Sequence, residues 1–482
     1  MRDTLQAVRE LLVHKKFEDA LASCKALFTE QGEMKSAQLF AYTGECYEGL
    51  LQGAEAFACY ERAWILDPQA NWLLQKVQTY SAQRKAILDS WLMDVLAVPK
   101  VTVGAAIITR DDERTIARCL RSLEGAVDEC IVIDTGSTDH TAEIAKEMGA
   151  QVFHFTWIDD FSAARNFSLS KVTSDWVICI DADEYLFDED KDHLYVAAGL
   201  FQYMTPPVIM RIIQVSTIGT RVESNYDMSR FFSMREGFCF RGRVHEQVGA
   251  YVAGRFTSVY DHPVVGVRVW HDGYEDSVMQ QKGKLDRNIH LLRKALQENP
   301  GDIGTLGFLG RELYLHGDLQ ESVDILYGCE HLAKHYPEYL RIPEVRVFLI
   351  NALMDLGRME EAMKLGQRFI SDSSDFPNAW FEYARVHDRM IRNLLGQAKH
   401  LFVTSAKVAH DYRGIVSYDQ DIVRWKHQAG LADVAVMEGR VADAYQLYSD
   451  ILKIVPDHEG IKSQMKMLED EARRLLNLVH SG

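Results

Sequence analysis

Two aspartates with a single residue between them follow an apolar run of the sequence. Asp181 and Asp183 come directly after the run Trp-Val-Ile-Cys-Ile at 176–180, whose composition is typical of a buried strand. Side chains two residues apart in an extended strand point to the same face, so both carboxylates could reach one cation. Magnesium takes one or two protein carboxylates and completes its shell with water and phosphate oxygens. The pair therefore predicts a metal-held diphosphate, with an acidic turn as the alternative. The same spacing recurs at 188–192 and 419–421, where polar neighbours favour a solvated turn.

The segments that must position this pair have the pattern of an α/β domain. Short, β-branched and largely apolar runs occur at 103–109, 129–134, 151–155 and 176–180. Amphipathic stretches separate the first three, which predicts right-handed crossovers and a doubly wound, mostly parallel sheet covered on both faces. Further strands are predicted at 208–216 and 264–270.

Polar residues follow the first, second and fourth of these runs. Thr109 precedes Arg-Asp-Asp-Glu, and Asp134 precedes Thr-Gly-Ser-Thr-Asp. In open α/β sheets the ligand crevice lies beyond the carboxyl ends of the strands, so these residues are candidates for ligand binding. A carboxylate at Asp134 can accept a hydrogen bond from a base N–H or a ribose hydroxyl. Ser137 or Thr138 is expected to cap the next helix.

Both ends of the chain carry the spacing of tetratricopeptide repeats, in which small residues lie where two helices touch. Near the start the pattern is formed by Gly44, Tyr47, Ala56, Tyr60, Ala63 and Pro68. Toward the end, a glycine before an acidic helix start recurs at 316–323, 356–362 and 438–444. The predicted divisions are helical repeats at 1–96, an α/β domain at 97–277, a helical linker at 278–301 and further repeats at 302–482.

Composition limits the class of protein. The formal net charge of −17 argues against nucleic-acid binding, which needs a clustered basic surface. The eight cysteines form no Cys-x-x-Cys and are expected to be small buried side chains in a reducing compartment. No segment approaches the roughly 20 apolar residues that span a bilayer, so a cytoplasmic protein without a membrane span is predicted.

Six segments of the sequence, in order, form a combined signal. They are Thr-Arg-Asp-Asp-Glu (109–113), Ile-Asp-Thr-Gly-Ser-Thr-Asp (133–139), Asp-Phe-Ser-Ala-Ala-Arg-Asn (160–166), Ile-Asp-Ala-Asp-Glu (180–184), Arg-Val-His-Glu-Gln (243–247) and His-Asp-Gly-Tyr (271–274). Taken together, these segments resemble the family 2 nucleotide-sugar glycosyltransferases with the A-type fold. Within that family they are most similar to the repeat-fused branch that includes sublancin-type peptide S-glycosyltransferases. The likeness covers about 100–275 closely and the following repeats loosely.

The resemblance implies roles at the matching positions. Asp134 would contact the nucleotide base, with Arg165 nearby, and Asp181 would face the ribose. Asp183 would hold Mg²⁺ or Mn²⁺ on the diphosphate, with His271 as a further residue on the metal side. The full set of donor-binding candidates is Thr109, Asp111, Glu113, Asp134, Arg165, Asp181 and Ala182. The family usually has Asn-Glu-Glu where this chain has Asp-Asp-Glu at 111–113, which leaves the role of Asp111 open.

The catalytic base is expected in the segment at 243–247. Inverting transfer needs a carboxylate or imidazole within hydrogen-bond reach of the acceptor. By analogy with the acidic base of the family we favour Glu246, with His245 as an orienting residue or alternative base and Asp227 as a third candidate. A histidine hydrogen-bonded to backbone is the alternative interpretation of His245. Trp157 is a candidate for stacking on the sugar or base.

The sequence thus predicts a metal-dependent, inverting glycosyltransferase. It would move a sugar from a UDP-sugar to a Cys, Ser or Thr side chain of a polypeptide presented by the helical repeats, which could also mediate protein contacts or dimerisation. One alternative keeps the donor chemistry but has a glycan or lipid-linked acceptor. Another is a non-catalytic repeat scaffold that binds nucleotide-sugar.

Overall fold

The computed structural model describes residues 2–31, 36–84, 86–218, 221–272, 278–337, 339–412 and 416–480. The chain divides into two compact units, Met1–Phe308 and Leu309–Gly482. The finer predicted boundaries at 97, 278 and 302 stay predictions.

Helices open the first unit, as the repeat pattern predicts. They are α1 (Arg2–Val13), α2 (Phe17–Gln31), α3 (Ala37–Gly49), α4 (Gly53–Leu66), α5 (Asn71–Tyr80) and α6 (Ser90–Leu96). The small residue at position 44 is required by packing, because a Cβ on Gly44 would lie 2.8 Å from the ring of Tyr60. This close approach of α3 and α4 is the helix contact that the repeat spacing indicates.

Two sheets follow. Their strands are β1 (Val103–Thr109), β2 (Glu129–Asp134), β3 (Gln151–His154), β4 (Trp176–Asp181), β5 (Glu184–Leu186), β6 (Ile209–Ile218), β7 (Arg221–Ser233), β8 (Cys239–Arg241), β9 (Gln247–Val252), β10 (Arg255–Thr257) and β11 (Val264–His271). The larger sheet has the order β3-β2-β1-β4-β7-β6-β11-β5, and the smaller one is an antiparallel β10-β9-β8 sheet. The intervening helices are α7 (Ile116–Leu123), α8 (Thr141–Glu147), α9 (Phe161–Leu169) and α10 (Lys191–Phe201).

The larger sheet is mixed. Its first four strands in spatial order, β3-β2-β1-β4, are parallel, as predicted. Beyond them, β7 runs antiparallel to both β4 and β6, and β5 runs antiparallel to β11. The sequence did not predict β7, because residues 221–225 are exposed and form no apolar run. The predicted class, an α/β domain flanked by helices, is confirmed.

The N-terminal helices share a hydrophobic core with the larger sheet. Ile213 and Val215 of β6 and Val264 of β11 are buried in the same cluster as Phe57 and Trp64 of α4. A Cβ added to Gly266 of β11 would lie 2.7 Å from the ring of Trp64, so the strand and the helix are in direct contact. The helices and the sheet therefore bury one continuous apolar surface.

Helical hairpins form the second unit. Helix α11 (Val278–Glu298) still belongs to the first unit, and α12 (Ile303–His316) crosses the division between the units. The helices that follow in the second unit are α13 (Leu319–Leu332), α14 (Ile342–Asp355), α15 (Met359–Asp372), α16 (Pro377–Asp411), α17 (His427–Met437), α18 (Val441–Ile454) and α19 (Glu459–His480). The predicted glycine turns are confirmed, since Gly317, Gly357 and Gly439 have φ values of 99°, 74° and 76° between consecutive helices. No helix in the described ranges is long and apolar enough to cross a membrane.

All eight cysteines have free thiols, and six of them are buried as expected: Cys24, Cys46, Cys59, Cys119, Cys179 and Cys329.

Candidate active site

The predicted ligand-binding residues lie at one edge of the larger sheet. In the strand register, Thr109 at the end of β1 is opposite Asp134 at the end of β2, and Ile108 is opposite Asp181 at the end of β4. The parallel strands thus bring three polar positions, far apart in the sequence, to neighbouring places. This arrangement follows from the strand order β2-β1-β4.

Asp181 lies between two arginines. Its Oδ1 accepts a hydrogen bond from Nη2 of Arg165 at 2.8 Å, and its Oδ2 accepts one from Nη2 of Arg230 at 2.7 Å. Although burial opposes the effect, the guanidinium groups of Arg230 and Arg165 hold the pKa of Asp181 well below its usual range. The carboxylate is therefore ionised and fixed at both oxygens.

The two arginines extend this contact to further carboxylates. Nε of Arg165 donates to Oε1 of Glu246 at 2.5 Å, and Nη1 of Arg230 donates to Oε2 of Glu184 at 2.8 Å. We call these five residues, Glu184, Arg230, Asp181, Arg165 and Glu246, the charged network. It alternates carboxylate and guanidinium from Glu184, the first residue of β5, to the predicted catalytic base Glu246.

Local structure explains how α9 presents Arg165. Asp160 caps the helix, since its carboxylate accepts from the backbone N–H of Ala163 at 2.9 Å. Arg165, five residues after this cap, is 5% exposed, and its guanidinium lies over the ring of Phe240 at 5.4 Å. The ion pairs to Asp181 and Glu246 raise the pKa of Arg165 against the effect of burial.

Asp183 and His271 form a second pair beside the network. Oδ2 of Asp183 lies 3.3 Å from Nε2 of His271, and their side chains are 40% and 33% exposed. The pairing of β5 with β11, which sets His271 opposite Glu184, brings the two together. The hydrogen bond to Asp183 raises the pKa of His271. Gly273 and Tyr274, the last residues of the predicted motif, lie outside the described residues.

This pair fits a divalent cation that keeps most of its ligands from solvent and phosphate. One carboxylate oxygen and one imidazole nitrogen, both partly exposed, suit Mn²⁺, and a single carboxylate suits Mg²⁺. Within the described ranges no group of three or more His, Cys, Asp or Glu side chains is arranged to hold a metal. A site here would therefore depend on a phosphate-bearing ligand.

β11, which carries His271, is fastened by a buried ion pair. Nε and Nη2 of Arg268 donate to the two carboxylate oxygens of Asp190, each at 2.8 Å. Asp190 is fully buried, and the guanidinium lies 5.0 Å from the Trp64 ring and 4.6 Å from the Phe187 ring. The expectation of a solvated turn at 188–192 is wrong for Asp190, because its partner comes from a strand 78 residues away in the chain. It holds for Asp188, whose side chain is 86% exposed.

Asp134 is buried at the end of β2 and already has partners. Its Oδ1 accepts from the backbone N–H of Ser137 at 3.0 Å, and its Oδ2 lies 2.9 Å from Nδ1 of His154. Although burial alone would raise it, the hydrogen bonds from Ser137 and His154 hold the pKa of Asp134 below its ordinary value. Asp134, the residue predicted to contact the nucleotide base, is thus an ionised carboxylate at the sheet edge.

Residues 109–113 connect to the loop after β2. The carboxylate of Asp111, a residue with φ of 56°, accepts from the backbone N–H of Thr138 at 2.7 Å. That of Glu113 accepts from the N–H of His140 at 3.2 Å, and the Thr109 hydroxyl donates to Asp112 at 2.7 Å. These contacts hold two loops together, and the donor-binding roles of Thr109, Asp111 and Glu113 stay predictions.

The predicted helix cap at Ser137 or Thr138 is wrong. Helix α8 begins at Thr141, and its N-cap position is His140. Ser137 accepts instead from the backbone N–H of Asp111 at 3.0 Å. The Ser137 hydroxyl therefore bonds to the loop after β1 rather than to the first turn of α8, because the parallel β1 and β2 place the two loops side by side.

The loop that carries the predicted bases is held by α11. Arg243 pairs with Glu298 through Nη2 at 2.5 Å and donates to the carbonyl of Asp159 at 2.9 Å. His245 has φ of 53°, and its ring packs on that of Phe308 at 4.8 Å between centroids. Glu246 is directed at Arg165, whereas His245 contacts an aromatic ring.

The remaining candidates lie at the edges of this arrangement. Ala182 is buried and packs in the core. Trp157 is partly buried, donates its indole N–H to Asp159 at 3.1 Å and contacts the edge of Phe161. Asp227 is an exposed residue of β7, three positions before Arg230. No role of any single site residue is tested by these positions.

Sequence reasoning missed Arg230, Glu184 and His154 as members of the site. The signal for Arg230 is a lone arginine directly before the apolar pair Phe231-Phe232, where a buried strand needs a partner for its charge. Glu184 follows the aspartate pair and is fully buried, with a pKa raised by that burial. His154 ends β3, next to β2 in the sheet.

Taken together, the edge offers an ionised carboxylate fixed by two arginines, a carboxylate–imidazole pair suited to a cation, and a further carboxylate, that of Glu246, bound to one of the arginines. Such a set can bind hydroxyl groups, a cation with phosphates, and a proton from an incoming nucleophile.

Comparisons with known proteins agree with this chemistry. Residues 105–262 match the model of the family described as Glycosyl transferase family 2. A TPR repeat-containing protein of Synechococcus elongatus is 32% identical over 233 residues, which cover 47% of this chain and 56% of that protein. The SPbeta prophage-derived glycosyltransferase SunS of Bacillus subtilis is 30% identical over 258 residues, which cover 53% of this chain and 59% of that protein.

The match therefore spans between half and three fifths of the length of these curated relatives. Among solved structures, glucosyl-3-phosphoglycerate synthase of Mycobacterium tuberculosis is 26% identical over 25% of this chain and 45% of that chain, with a TM-score of 0.20. A score this low supports no inference about ligands.

Proposed function

We propose that the protein transfers a sugar, with inversion, from a UDP-sugar to a side chain of a polypeptide, and the match of residues 105–262 to the model described as Glycosyl transferase family 2 supports this proposal. The observation that carries the proposal is the grouping of the charged network and the Asp183–His271 pair at one sheet edge. Each part of the reaction then falls to named residues.

On the donor side, Asp134 would accept from the nucleotide base and Asp181 from the ribose. Both carboxylates have pKa values held below the ordinary range, so both are acceptors at neutral pH. The arginines at Asp181 leave each carboxylate oxygen a second lone pair for a ribose hydroxyl. These features support a site for a nucleoside rather than for a bare phosphate.

Asp183 and His271 would hold a divalent cation, Mg²⁺ or Mn²⁺, at the donor diphosphate. Bound there, the cation would neutralise charge on the diphosphate and act as a Lewis acid. Their exposure leaves room for phosphate oxygens and water in the rest of the coordination shell.

Glu246 would act as the base on the acceptor side. The acceptor sulfur or oxygen forms a bond to the anomeric carbon as the bond from that carbon to the diphosphate breaks, and Glu246 takes the acceptor proton. Arg165 links Glu246 to Asp181, which supports a place for the base near the donor sugar. His245 is the alternative base.

The helical repeats support a polypeptide acceptor. Repeat arrays form extended surfaces that bind peptides, and attachment to a catalytic domain raises the local concentration of the acceptor. The resemblance to the sublancin-type branch points to a cysteine thiol as one such nucleophile, with serine and threonine hydroxyls as the others.

The decisive experiment measures UDP release from several UDP-sugars with and without Mn²⁺ or Mg²⁺, for the natural chain and for Asp183→Ala. We expect metal-dependent release that Asp183→Ala abolishes. The matched control is Asp188→Ala, an exposed aspartate of the same acidic segment, which should retain activity. Equal activity of Asp183→Ala and the natural chain would refute the metal role.

Acceptor class is tested by the same assay with peptides that contain Cys, Ser or Thr and with glycans. Peptides that gain the mass of one hexose would support the proposal. Stimulation by glycans alone would refute the polypeptide acceptor. Nucleotide-sugar binding without release or transfer would favour a non-catalytic scaffold.

A further inference from the structure

We propose that Arg230 is a positioning residue of the donor site: it holds Asp181 in its ligand-binding orientation and, through Asp181 and Arg165, sets the position of Glu246. The inference rests on the proposed function, since it assigns to Arg230 an effect on donor binding and turnover. The six segments on which the family resemblance rests do not include this residue.

The place of Arg230 in the sheet is where two strands part. β4 and β7 pair at three positions, of which Ile178 opposite Phe231 is the last toward the sheet edge. Arg230 is the next residue of β7. Its side chain reaches Asp181 and Glu184 beyond the last backbone pair of β4 and β7. Contacts of the guanidinium therefore replace backbone hydrogen bonds where this pairing ends.

The guanidinium contacts both carboxylates through different nitrogens. Nη2 lies 2.7 Å from Oδ2 of Asp181, and Nη1 lies 2.8 Å from Oε2 of Glu184. The Arg230 side chain is 15% exposed and that of Glu184 is fully buried. Glu184 is anchored further, because its Oε2 accepts from the backbone N–H of Asp181 at 2.9 Å and its Oε1 from Gln214 at 2.5 Å. Arg230 is therefore tied to a rigid buried carboxylate on one side and to Asp181 on the other.

Two arginines are needed to fix Asp181. Arg165 alone would hold Oδ1 and leave the carboxylate free to rotate about that contact. Without Arg230, moreover, Asp181 and the buried Glu184 would be like charges with no cation between them. Either change would move the Asp181 oxygen that is proposed to bind the ribose. Because Arg165 contacts both Asp181 and Glu246, the position of Glu246 would change as well.

A lysine cannot replace this arrangement fully. A guanidinium presents its donors in a fixed planar fork, whereas an ammonium is a point charge that would reach Asp181 or Glu184 but not hold both in place. The conservative variant Arg230→Lys should therefore keep the charge and lose part of the geometry.

The chain offers a matched control in its second unit. Nη2 of Arg346 bridges Glu330 at 2.9 Å and Asp372 at 2.8 Å, and its side chain is 9% exposed. It is, like the partly buried Arg230, an arginine between two carboxylates, but it lies among the helical repeats. Arg346→Met should lower the melting temperature and leave the KM for donor unchanged.

The experiment compares Arg230→Met, Arg230→Lys and Arg346→Met with the natural full-length chain. The dissociation constant of UDP with Mn²⁺ is measured by calorimetry, together with kcat, the KM for UDP-sugar and the melting temperature. We expect Arg230→Met to weaken UDP binding and raise KM about tenfold to a hundredfold, the range for lost hydrogen bonds to charged groups, and to lower kcat. Arg230→Lys should recover part of this loss.

A cycle with Asp181→Asn tests whether Arg230 acts through Asp181. If it does, Arg230→Met should weaken UDP binding no more than about twofold further in the Asp181→Asn background, since residues of one network are not additive. Full multiplication of the two effects would overturn the inference. So would UDP binding by Arg230→Met within about twofold of the natural chain, on the usual additivity error.

The experiment distinguishes a failure of the proposed donor site from a failure of the role proposed for Arg230. Failure of the natural chain to bind UDP with Mn²⁺ would overturn both the donor assignment and this inference. Normal UDP binding by the natural chain and by Arg230→Met alike would overturn only the role of Arg230. If Arg230→Met does not fold, a folded Arg230→Lys with raised KM supports the inference, and one with unchanged KM overturns it.

Discussion

Replacement of Arg268 by methionine should destabilise the first unit by removing the guanidinium partner of a fully buried carboxylate, Asp190, and leaving the His193 ring at 3.5 Å beside it. Arg268 gives Asp190 two side-chain hydrogen bonds and one from its backbone N–H, each at 2.8 Å. Methionine retains much of the packing against the neighbouring aromatic rings, and the backbone hydrogen bond remains. The expected loss is therefore electrostatic, and it falls on a group that water cannot reach.

The size of the effect follows from burial. Breaking a buried ion pair by removal of one partner costs about 3–5 kcal/mol, and no discount for solvent screening applies to Asp190. For domains of 150–250 residues, 1 kcal/mol shifts the melting temperature by about 2–4 °C, and the first unit is larger, so the lower figure applies. We expect Arg268→Met to melt about 6–10 °C below the natural chain.

Thermal unfolding followed by circular dichroism or calorimetry measures this shift. The control is Arg235→Met, which removes an exposed arginine of the same unit whose contact with Asp175 is 3.5 Å long. An exposed pair is worth at most about 1 kcal/mol, so the control should shift the midpoint little. The double variant Arg268→Met/Asp190→Asn should regain stability, because no ionised carboxylate is then left buried. An unchanged midpoint in Arg268→Met, or no recovery in the double variant, would refute the reasoning.

Three further outcomes are expected. Glu246→Gln should abolish transfer and leave UDP affinity within about threefold; loss of UDP binding instead would show that this residue serves the donor. Although burial opposes it, hydrogen bonds from the residues at 173 and 174 lower the pKa of Glu129, so its contribution is present above the ordinary value of 4.5 and is lost as pH falls through the lowered value. Acid titration of unfolding should therefore be less steep for Glu129→Gln than for the natural chain, and identical slopes would contradict this. Gly44→Ala, which sets a Cβ 2.8 Å from Tyr60, should cost about 1–3 kcal/mol in urea unfolding, whereas Gly53→Ala, with 3.5 Å to its nearest neighbour, should be close to neutral.

The sequence predicted those parts of the site that depend on local pattern. Thr109, Asp134 and Asp181 each end an apolar run, and parallel strands necessarily bring such ends to one edge. The glycine turns of the repeats were predicted for the same reason, since a positive φ is a local requirement. These positions depend only on β1 lying between β2 and β4 in the sheet.

Contacts that depend on the order of the remaining strands of the larger sheet could not be predicted from the sequence. Arg230 reaches Asp181 only because β7 inserts between β4 and β6, and β7 shows no strand pattern in its exposed first half. The polar neighbours of Asp190 in the sequence predict a solvated turn. Its true environment comes from Arg268, on a strand that joins the sheet much later in the chain. Polar residues with distant partners are thus misread by local composition.

The core that the N-terminal helices share with the sheet limits how this protein can be re-engineered. In a repeat array each repeat contacts only its neighbours, so an array can fold around its own interior. Here Ile213, Val215 and Val264 of the sheet lie in the interior of the first array, and Trp64 of that array lies against the strand that leads to His271. The larger sheet could therefore be moved to another protein only together with these first helices.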